Sequence, residues 1–275
     1  MSFNIHITGA SGFLGHELFN YLKKRKYKVF GYSRRKRINL INVDSYSNIR
    51  GNKKDILIHL AQFSNTKKKI TKKEILKNLN TSKNLVKKNW KHIIYISSTN
   101  IYSSSSKKKK ESEKIKTDFF KKNNDSYSLI KAESEKIFLD KRSSILRLSN
   151  VYGKNMNNKS LFMNVIQQLN KKNITVKDSR PIRDYIYIDD VIKSIELFII
   201  NNNSGIYNIA YGKSYSVEKI VFKILKILNI KRKLISKNLF NKSEVYIDNS
   251  KLKKTFNWRC KISLNQGLKR ILKQI

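Results

Sequence analysis

Three stretches of the chain carry groups whose types and spacing could do chemistry. Tyr127 and Lys131 stand four residues apart in a segment of helical pattern, so both lie on one helix face. An ammonium beside a phenol favours the phenolate and lowers the tyrosine pKa from its reference near ~10. A poised phenol can then give or take a proton at a substrate oxygen. On a helix such a pair is by itself usually ordinary surface, so its meaning depends on the surroundings. The second stretch, Thr8-Gly9-Ala10-Ser11-Gly12-Phe13-Leu14-Gly15, follows an apolar run and opens an amphipathic helix. Gly9 would allow a tight turn, Gly12 a close approach of backbone to a pyrophosphate, and Gly15 close packing of helix on strand. The pyrophosphate would rest at the positive end of the helix dipole. In the third, Ser33-Arg34-Arg35-Lys36-Arg37, no carboxylate stands about 20 residues past the glycines, where an NAD site usually has one for the ribose 2′-hydroxyl. Ser33, Arg34 and Arg35 could hold a 2′-phosphate by charge-assisted hydrogen bonds, with a solvated basic loop as the plain alternative. NADP is therefore favoured, and NAD stays open.

These groups need a frame. Phe3 to Ile7 and Tyr27 to Tyr32 read as buried strands on either side of a helix ending in Lys23-Lys24-Arg25-Lys26, which is a βαβ unit. Ile56 to Ala61 is a continuous apolar run, as parallel strands require, with His59 read as structural. Helical spacing runs from Ile70 to Trp90, and His92 to Ile96 is a strand that leads into Ser97-Ser98-Thr99-Asn100-Ile101-Tyr102. A polar cluster leaving the carboxyl end of a parallel strand is where open α/β sheets bind ligands. Residues 103–125 read as a surface excursion with Lys107 to Lys110 in a solvated loop, before a helix from Ser126 to Leu139. A strand from Ser144 to Leu148, a helix from Ser160 to Leu169 and a strand near Ile174 follow. Asp189 or Asp190 can cap a helix from Val191 to Ile200, and Ser216 a helix from Val217 to Leu228. Leu264 to Ile275 reads as a last amphipathic helix.

With 275 residues the chain can bury a sizeable core. Its net charge of +41 comes from 60 basic against 19 acidic residues, which invites a nucleic-acid reading. Lysine outnumbers arginine, Asn and Ile are abundant, and the lysines are spread throughout, so A/T-rich codon usage explains the charge more simply. No aromatic RNA-binding motif or zinc-finger spacing accompanies it, and no specific nucleic-acid partner is expected. Cys260 is the single cysteine, which forbids an internal disulfide and supplies no metal cluster. No run of ~20 apolar residues could span a membrane, and no signal pattern opens the chain, so a cytoplasmic location is expected.

Taken in order, these motifs resemble the extended short-chain dehydrogenase/reductases, the NAD(P)-dependent nucleotide-sugar epimerase/dehydratase family. The resemblance rests on Thr8 to Gly15, His59-Leu60-Ala61, Asn78, Ser97-Ser98-Thr99, Tyr127-x-x-x-Lys131, Leu146 to Gly153, Arg183-Asp184-Tyr185 with Asp189-Asp190-Val191, and Tyr207-Asn208-Ile209. It implies an α/β fold, a Rossmann-type doubly wound parallel sheet with a smaller C-terminal substrate-binding lobe. The expected division is residues 1–152 and 153–275, with part of 183–200 returning to the core. By resemblance Tyr127 is the catalytic acid/base, Lys131 holds the nicotinamide ribose, and Ser98, more than Thr99, hydrogen-bonds the reacting oxygen. Gly9, Ser11, Gly12, Phe13, Leu14, Gly15, Leu60 and Ala61 would touch the cofactor. Asn150 and Arg183 would grip the substrate diphosphate, for which a guanidinium fork is suited, and Asn78 would stand behind the site. Asn39 would take the place of an aspartate that meets adenine near the end of the third strand.

Members that dehydrate the sugar carry an Asp-Glu pair after the active-site hydroxyl, and here Thr99 and Asn100 stand there, which speaks against a 4,6-dehydratase. The expectation is an NADPH-dependent reductase of an NDP-4-keto-6-deoxyhexose. A 4-epimerase holding NAD is the second enzyme reading, and a Rossmann scaffold for binding or redox sensing is the non-enzyme one. Apolar residues on several sides of the helices near 71–90 and 126–139, including Ile130, Ile137 and Phe138, together with family habit suggest a homodimer.

Overall fold

The computed structural model describes residues 3–62, 71–115, 126–139, 142–237 and 243–273. The expected helix start at Ile70, residues 116–125 of the excursion and the last two residues of the tail helix lie outside them. In chain order the elements are β1 (Ile5–Thr8), α1 (Phe13–Lys24), β2 (Val29–Ser33), β3 (Ile41–Asn42), β4 (Ile56–His59), α2 (Lys72–Val86), β5 (His92–Ser98), β6 (Ser105–Lys109), α3 (Ser126–Phe138) and β7 (Ser143–Leu148). There follow β8 (Asn150–Tyr152), α4 (Leu161–Ile166), β9 (Asn173–Val176), β10 (Ile182–Tyr187), α5 (Ile188–Asn201), β11 (Gly205–Ile209) and β12 (Ser214–Ser216). The chain closes with α6 (Val217–Ile227), β13 (Lys233–Ser236), β14 (Val245–Ile247), α7 (Ser250–Phe256) and α8 (Leu264–Leu272).

The chain forms two compact units that alternate along it rather than meeting at one cut. The first is Met1–Ile101, Lys114–Leu148 and Ile192–Tyr207; the second is Tyr102–Glu113, Ser149–Val191 and Asn208–Ile275. The first is built on a seven-stranded sheet in the order β11-β7-β5-β4-β1-β2-β3, with parallel pairing from β7 through to β3. Chain order reverses at β1, which lies between β2 and β4, so the carboxyl ends of β1 and β4 flank the switch point where such sheets bind ligands. All four residues of β1, all four of β4 and all seven of β5 are buried, as strands covered on both faces must be. Leu57 of β4 and Tyr95 of β5 join Trp90, Phe138 and Ile145 in one core cluster. Ile130 and Phe138 are also buried, so these two residues are core of this unit and furnish no spare apolar face. Leu76 on α2 and Leu139 just after α3 are exposed.

The second unit holds three small sheets, β12-β10-β8, β13-β9 and β14-β6. Three local expectations are corrected. Lys107 to Lys109 is strand and not loop: β6 pairs with β14, and Lys109 is buried while Lys107, Lys108 and Lys110 are exposed. Its partner lies over 130 residues downstream, which no local pattern announces. Neither Asp189 nor Asp190 caps α5, because the helix begins at Ile188 and both fall in its first turn. Asp190 instead accepts the backbone N–H groups of Lys261 and Ile262 at 3.1 and 3.0 Å, and Asp189 pairs with Arg270. Asn39 precedes β3 in a left-handed turn (φ +62°) rather than ending that strand, whose end leads into Val43 and Asp44. Ser216 does cap α6, accepting from the Lys219 N–H.

Candidate active site

At the switch point of the first unit, β1 runs through Gly9 (φ +72°) into α1. A Cβ on Gly9 would come within 3.0 Å of the Ala61 backbone, and one on Gly15 within 2.2 Å of the Gly9 carbonyl oxygen. Larger residues at either position would push the loop apart, which explains both glycines. Gly12 is the N-cap of α1 and gives its first turn no side-chain cap, and no acidic residue stands in that turn. Backbone N–H groups at a helix start left without a capping side chain, in a cradle that only glycine fits, suit a pyrophosphate. The residues therefore fit a dinucleotide. Leu60 and Ala61, at the end of β4, are half-buried beside this loop, and the Ala61 N–H donates to Thr8 Oγ1 at 3.2 Å. His59 is structural: it is fully buried, its Nδ1 lies 2.8 Å from Thr8 Oγ1, and burial followed by the Lys131 charge pushes its pKa down to about 3.

At the end of β2 the three expected phosphate contacts separate. Ser33 is buried, donates its hydroxyl to Ser11 Oγ at 2.9 Å and accepts the Arg35 N–H at 3.1 Å. It ties the end of β2 to the glycine loop, so an external phosphate would fall to Arg34 and Arg35, whose side chains are exposed. The Arg34 guanidinium also sits 5.6 Å from the centre of the Tyr46 ring.

Helix α3 packs on β5 and is fastened to it at three levels. Ser128 donates to the carbonyl of Asn100 at 3.2 Å, the Lys131 ammonium donates to the carbonyl of Ile96 at 2.6 Å, and the Ser97 hydroxyl donates to the Glu135 carboxylate. These bonds bring the α3 face that bears Tyr127 and Lys131 to the end of β5 that bears Ser98 and Thr99. The Lys131 nitrogen is 5.9 Å from the Tyr127 ring centre and 5.1 Å from that of Tyr95. Burial pushes the Lys131 pKa down to about 7, and the Glu135 carboxylate pulls against that fall. Ser98 and Thr99 are buried, with Ser98 Oγ accepting the Asn100 N–H at 3.2 Å, and Tyr127 is half-buried. Asn78 stands further back on α2, bonded to the Glu74 carbonyl at 2.8 Å. The sequence reading missed Glu135, Arg147, Ser97 and Gln62. Gln62 accepts from the Tyr95 hydroxyl and donates to Ser134, both at 2.6 Å, which makes a buried polar chain behind Lys131. A carboxylate four residues after Lys131 was the one visible signal for Glu135.

In the second unit, Asn150 on β8 donates to the Asp184 carbonyl at 3.0 Å. Arg183 on β10 donates to the Ile182 and Ser243 carbonyls and to Ser243 Oγ, each at 2.8 Å. Among the described residues these three bonds use three of the five N–H groups of the guanidinium. The next residue, Asp184, is buried and accepts the Tyr211 and Gly212 N–H groups at 2.9 and 2.7 Å. Burial pushes its carboxyl up to about 6. Among the described residues no cluster of three metal-ligating side chains occurs, and no helix is long and apolar enough to cross a membrane.

Comparison with known proteins bears on the family and the fold. Residues 5–210 match the family model described as the NAD dependent epimerase/dehydratase family. A CDP-abequose synthase of Salmonella muenchen is 27% identical over 156 residues, covering 51% of this chain and 52% of that protein. The chain thus spans about half the length of the curated relative it matches. UDP-glucuronic acid 4-epimerase from Bacillus cereus, solved with NAD and a 4-deoxy-4-fluoro substrate analogue, superimposes with a TM-score of 0.82 at 21% identity, covering 98% of this chain and 99% of that one. RMD from Pseudomonas aeruginosa, solved with NADPH, gives 0.79 at 19% identity, covering 98% and 97%. At such identities the structures establish the shared fold.

Proposed function

The chain belongs to the NAD dependent epimerase/dehydratase family, and from that premise we propose that it is an NADPH-dependent reductase of a nucleotide-linked 4-keto-6-deoxyhexose. The observation that carries this reading is the end of β2, where Arg34 and Arg35 are exposed and residues 33–37 contain no carboxylate. A 2′-phosphate would meet two guanidinium groups and no repelling charge. That favours a reductant which binds, reacts and leaves over a resident NAD. Thr99 and Asn100 offer no acid–base pair for removing water, and the likeness to a CDP-abequose synthase supports a nucleotide-linked sugar as substrate class.

The hydride that the carbonyl carbon needs is the chemistry that bound NADPH supplies. The proton comes from the chain itself: the Tyr127 hydroxyl gives it to the carbonyl oxygen, so the ketone becomes an alcohol. Ser98 donates a hydrogen bond to the same oxygen and stabilises the charge that gathers there. Lys131 holds a ribose hydroxyl and, as an ammonium near the ring, favours the phenolate left on Tyr127. Gly9, Ser11, Gly12, Phe13, Leu14 and Gly15 receive the pyrophosphate, with Leu60 and Ala61 beside them. Asn150 and Arg183 bind the substrate diphosphate. The proposal includes a homodimer in the cytoplasm, and light scattering at micromolar concentration checks the dimer.

The deciding experiment mixes purified protein with NADPH or NADH and a panel of NDP-4-keto-6-deoxyhexoses. Stoichiometric loss of NADPH absorbance and formation of an NDP-6-deoxyhexose are expected. Interconversion of NDP-hexose epimers with no added cofactor would replace the reductase with the 4-epimerase.

A further inference from the structure

The Tyr127–Lys131 face of α3 continues one turn further to Glu135, because residues four apart fall in line along a helix. Glu135 is 5% exposed, and its carboxylate is gripped from two neighbouring strands. From β7, Arg147 donates through Nε at 3.0 and 3.2 Å and through Nη2 at 2.7 Å; from β5, the Ser97 hydroxyl donates to Oε1. Ser97 and Arg147 are register partners in the sheet, which is why one carboxylate can reach both. The residues flanking Ser97 are Ile96, whose carbonyl holds the Lys131 ammonium, and Ser98. One buried ion pair thus fastens the Glu135 turn of α3, next to the Lys131 turn, at the level of Ser97, the residue before Ser98.

Resting on the reductase reading above, we propose that Glu135, clamped by Arg147 and Ser97, is a positioning residue that keeps the Lys131 side chain charged and in register with Ser98. Among the described residues, every other group that faces Lys131 is a weaker source of negative charge or none. On α3 this is Tyr127; β5 offers the Tyr95 ring, whose phenol is held protonated by burial; β4 offers His59, neutral for the same reason. Arg147 on β7 is cationic and already paired with Glu135, and α2 presents the uncharged Ser82 to Ser134 of α3. A buried ammonium among these needs the Glu135 carboxylate to stay protonated, in keeping with the direction in which that carboxylate shifts it.

The test measures NADPH affinity by titration across pH on three proteins, which needs no substrate. In the unsubstituted chain affinity should fall as pH rises through about 7. Lys131→Met should bind more weakly and lose that fall. Glu135→Gln should keep the fall but move its midpoint down by about one pH unit, losing roughly fivefold in affinity at pH 7. Glu135→Gln leaves Arg147 without its counter-ion and could unfold the protein, so Glu135→Gln/Arg147→Met, which removes both charges, is measured beside it and should move the midpoint in the same direction by a smaller amount, because a cation near Lys131 is lost with the carboxylate. If Lys131→Met removes the fall while neither Glu135 variant moves its midpoint, the role of Glu135 is overturned and the reductase reading stands. If Lys131→Met leaves NADPH affinity and its pH dependence intact, Lys131 does not serve the cofactor and both readings fall.

Discussion

In the first unit, the polar groups proposed for chemistry are held by partners close in the chain. Glu135 and Arg147 are 12 residues apart, Ser33 and Ser11 are 22 apart, and Lys131 reaches back 35 to Ile96. In the second, some fastenings are much longer: Arg183 to Ser243 spans 60 residues, and Tyr102 to Asn208, at 2.8 Å, spans 106. Asn208 also donates to the carbonyls of Lys109 and Asp248, so one buried amide joins three distant segments. The reactive groups thus stand on a frame of successive βα units, where helix and strand spacing nearly suffices to align them. The recognising groups stand on a frame that exists only once long loops have closed.

The comparison breaks first at Tyr127. Tyr127→Phe keeps the ring and removes the proton, so turnover should drop ~10²–10⁴-fold while NADPH affinity holds. Near-normal turnover of the folded variant would show that the first unit does not carry the chemistry.

A smaller effect sharpens the other side. If Asp184 is scaffolding for the second unit, its substitution should change stability and leave NADPH binding alone. Burial raises its carboxyl from 3.8 to about 6, so the fold holds the proton over a range where the unfolded chain has released it. The stability this gives is complete below 3.8 and lost as pH rises through about 6. The urea midpoint of the unsubstituted protein should therefore fall more between about pH 4 and pH 7 than that of Asp184→Asn. Equal pH dependence in both would contradict the assignment.

The smallest effect concerns cofactor choice. Arg34→Ala and Arg35→Ala should each reduce the preference for NADPH over NADH by about five- to tenfold, since a charge-assisted bond at an exposed site is worth less than a buried one. Isothermal titration with both cofactors reads this directly, and an unchanged ratio would remove the basis for preferring NADPH.

Much of this protein was legible in its residues. Apolar runs of four to seven residues marked β1, β4 and β5, helical spacing marked α2 and α3, and serine before an amphipathic run marked the start of α6. The glycine loop, the Tyr127–Lys131 face and the Ser98 cluster are all local patterns, because turn chemistry and helix periodicity act over a few residues. Tertiary structure decided the rest. It made a strand of a lysine run through pairing with β14 and buried Lys109, took Asp190 away from capping to bind backbone near Ile262, and turned Ser33 inward to Ser11. Each outcome depends on which polar partner burial brings within reach, and a buried polar group must find one wherever it lies in the chain. Glu135 is the plainest case: its spacing placed it in line with Lys131, but only the closed sheet supplied Arg147 and Ser97 to hold it there.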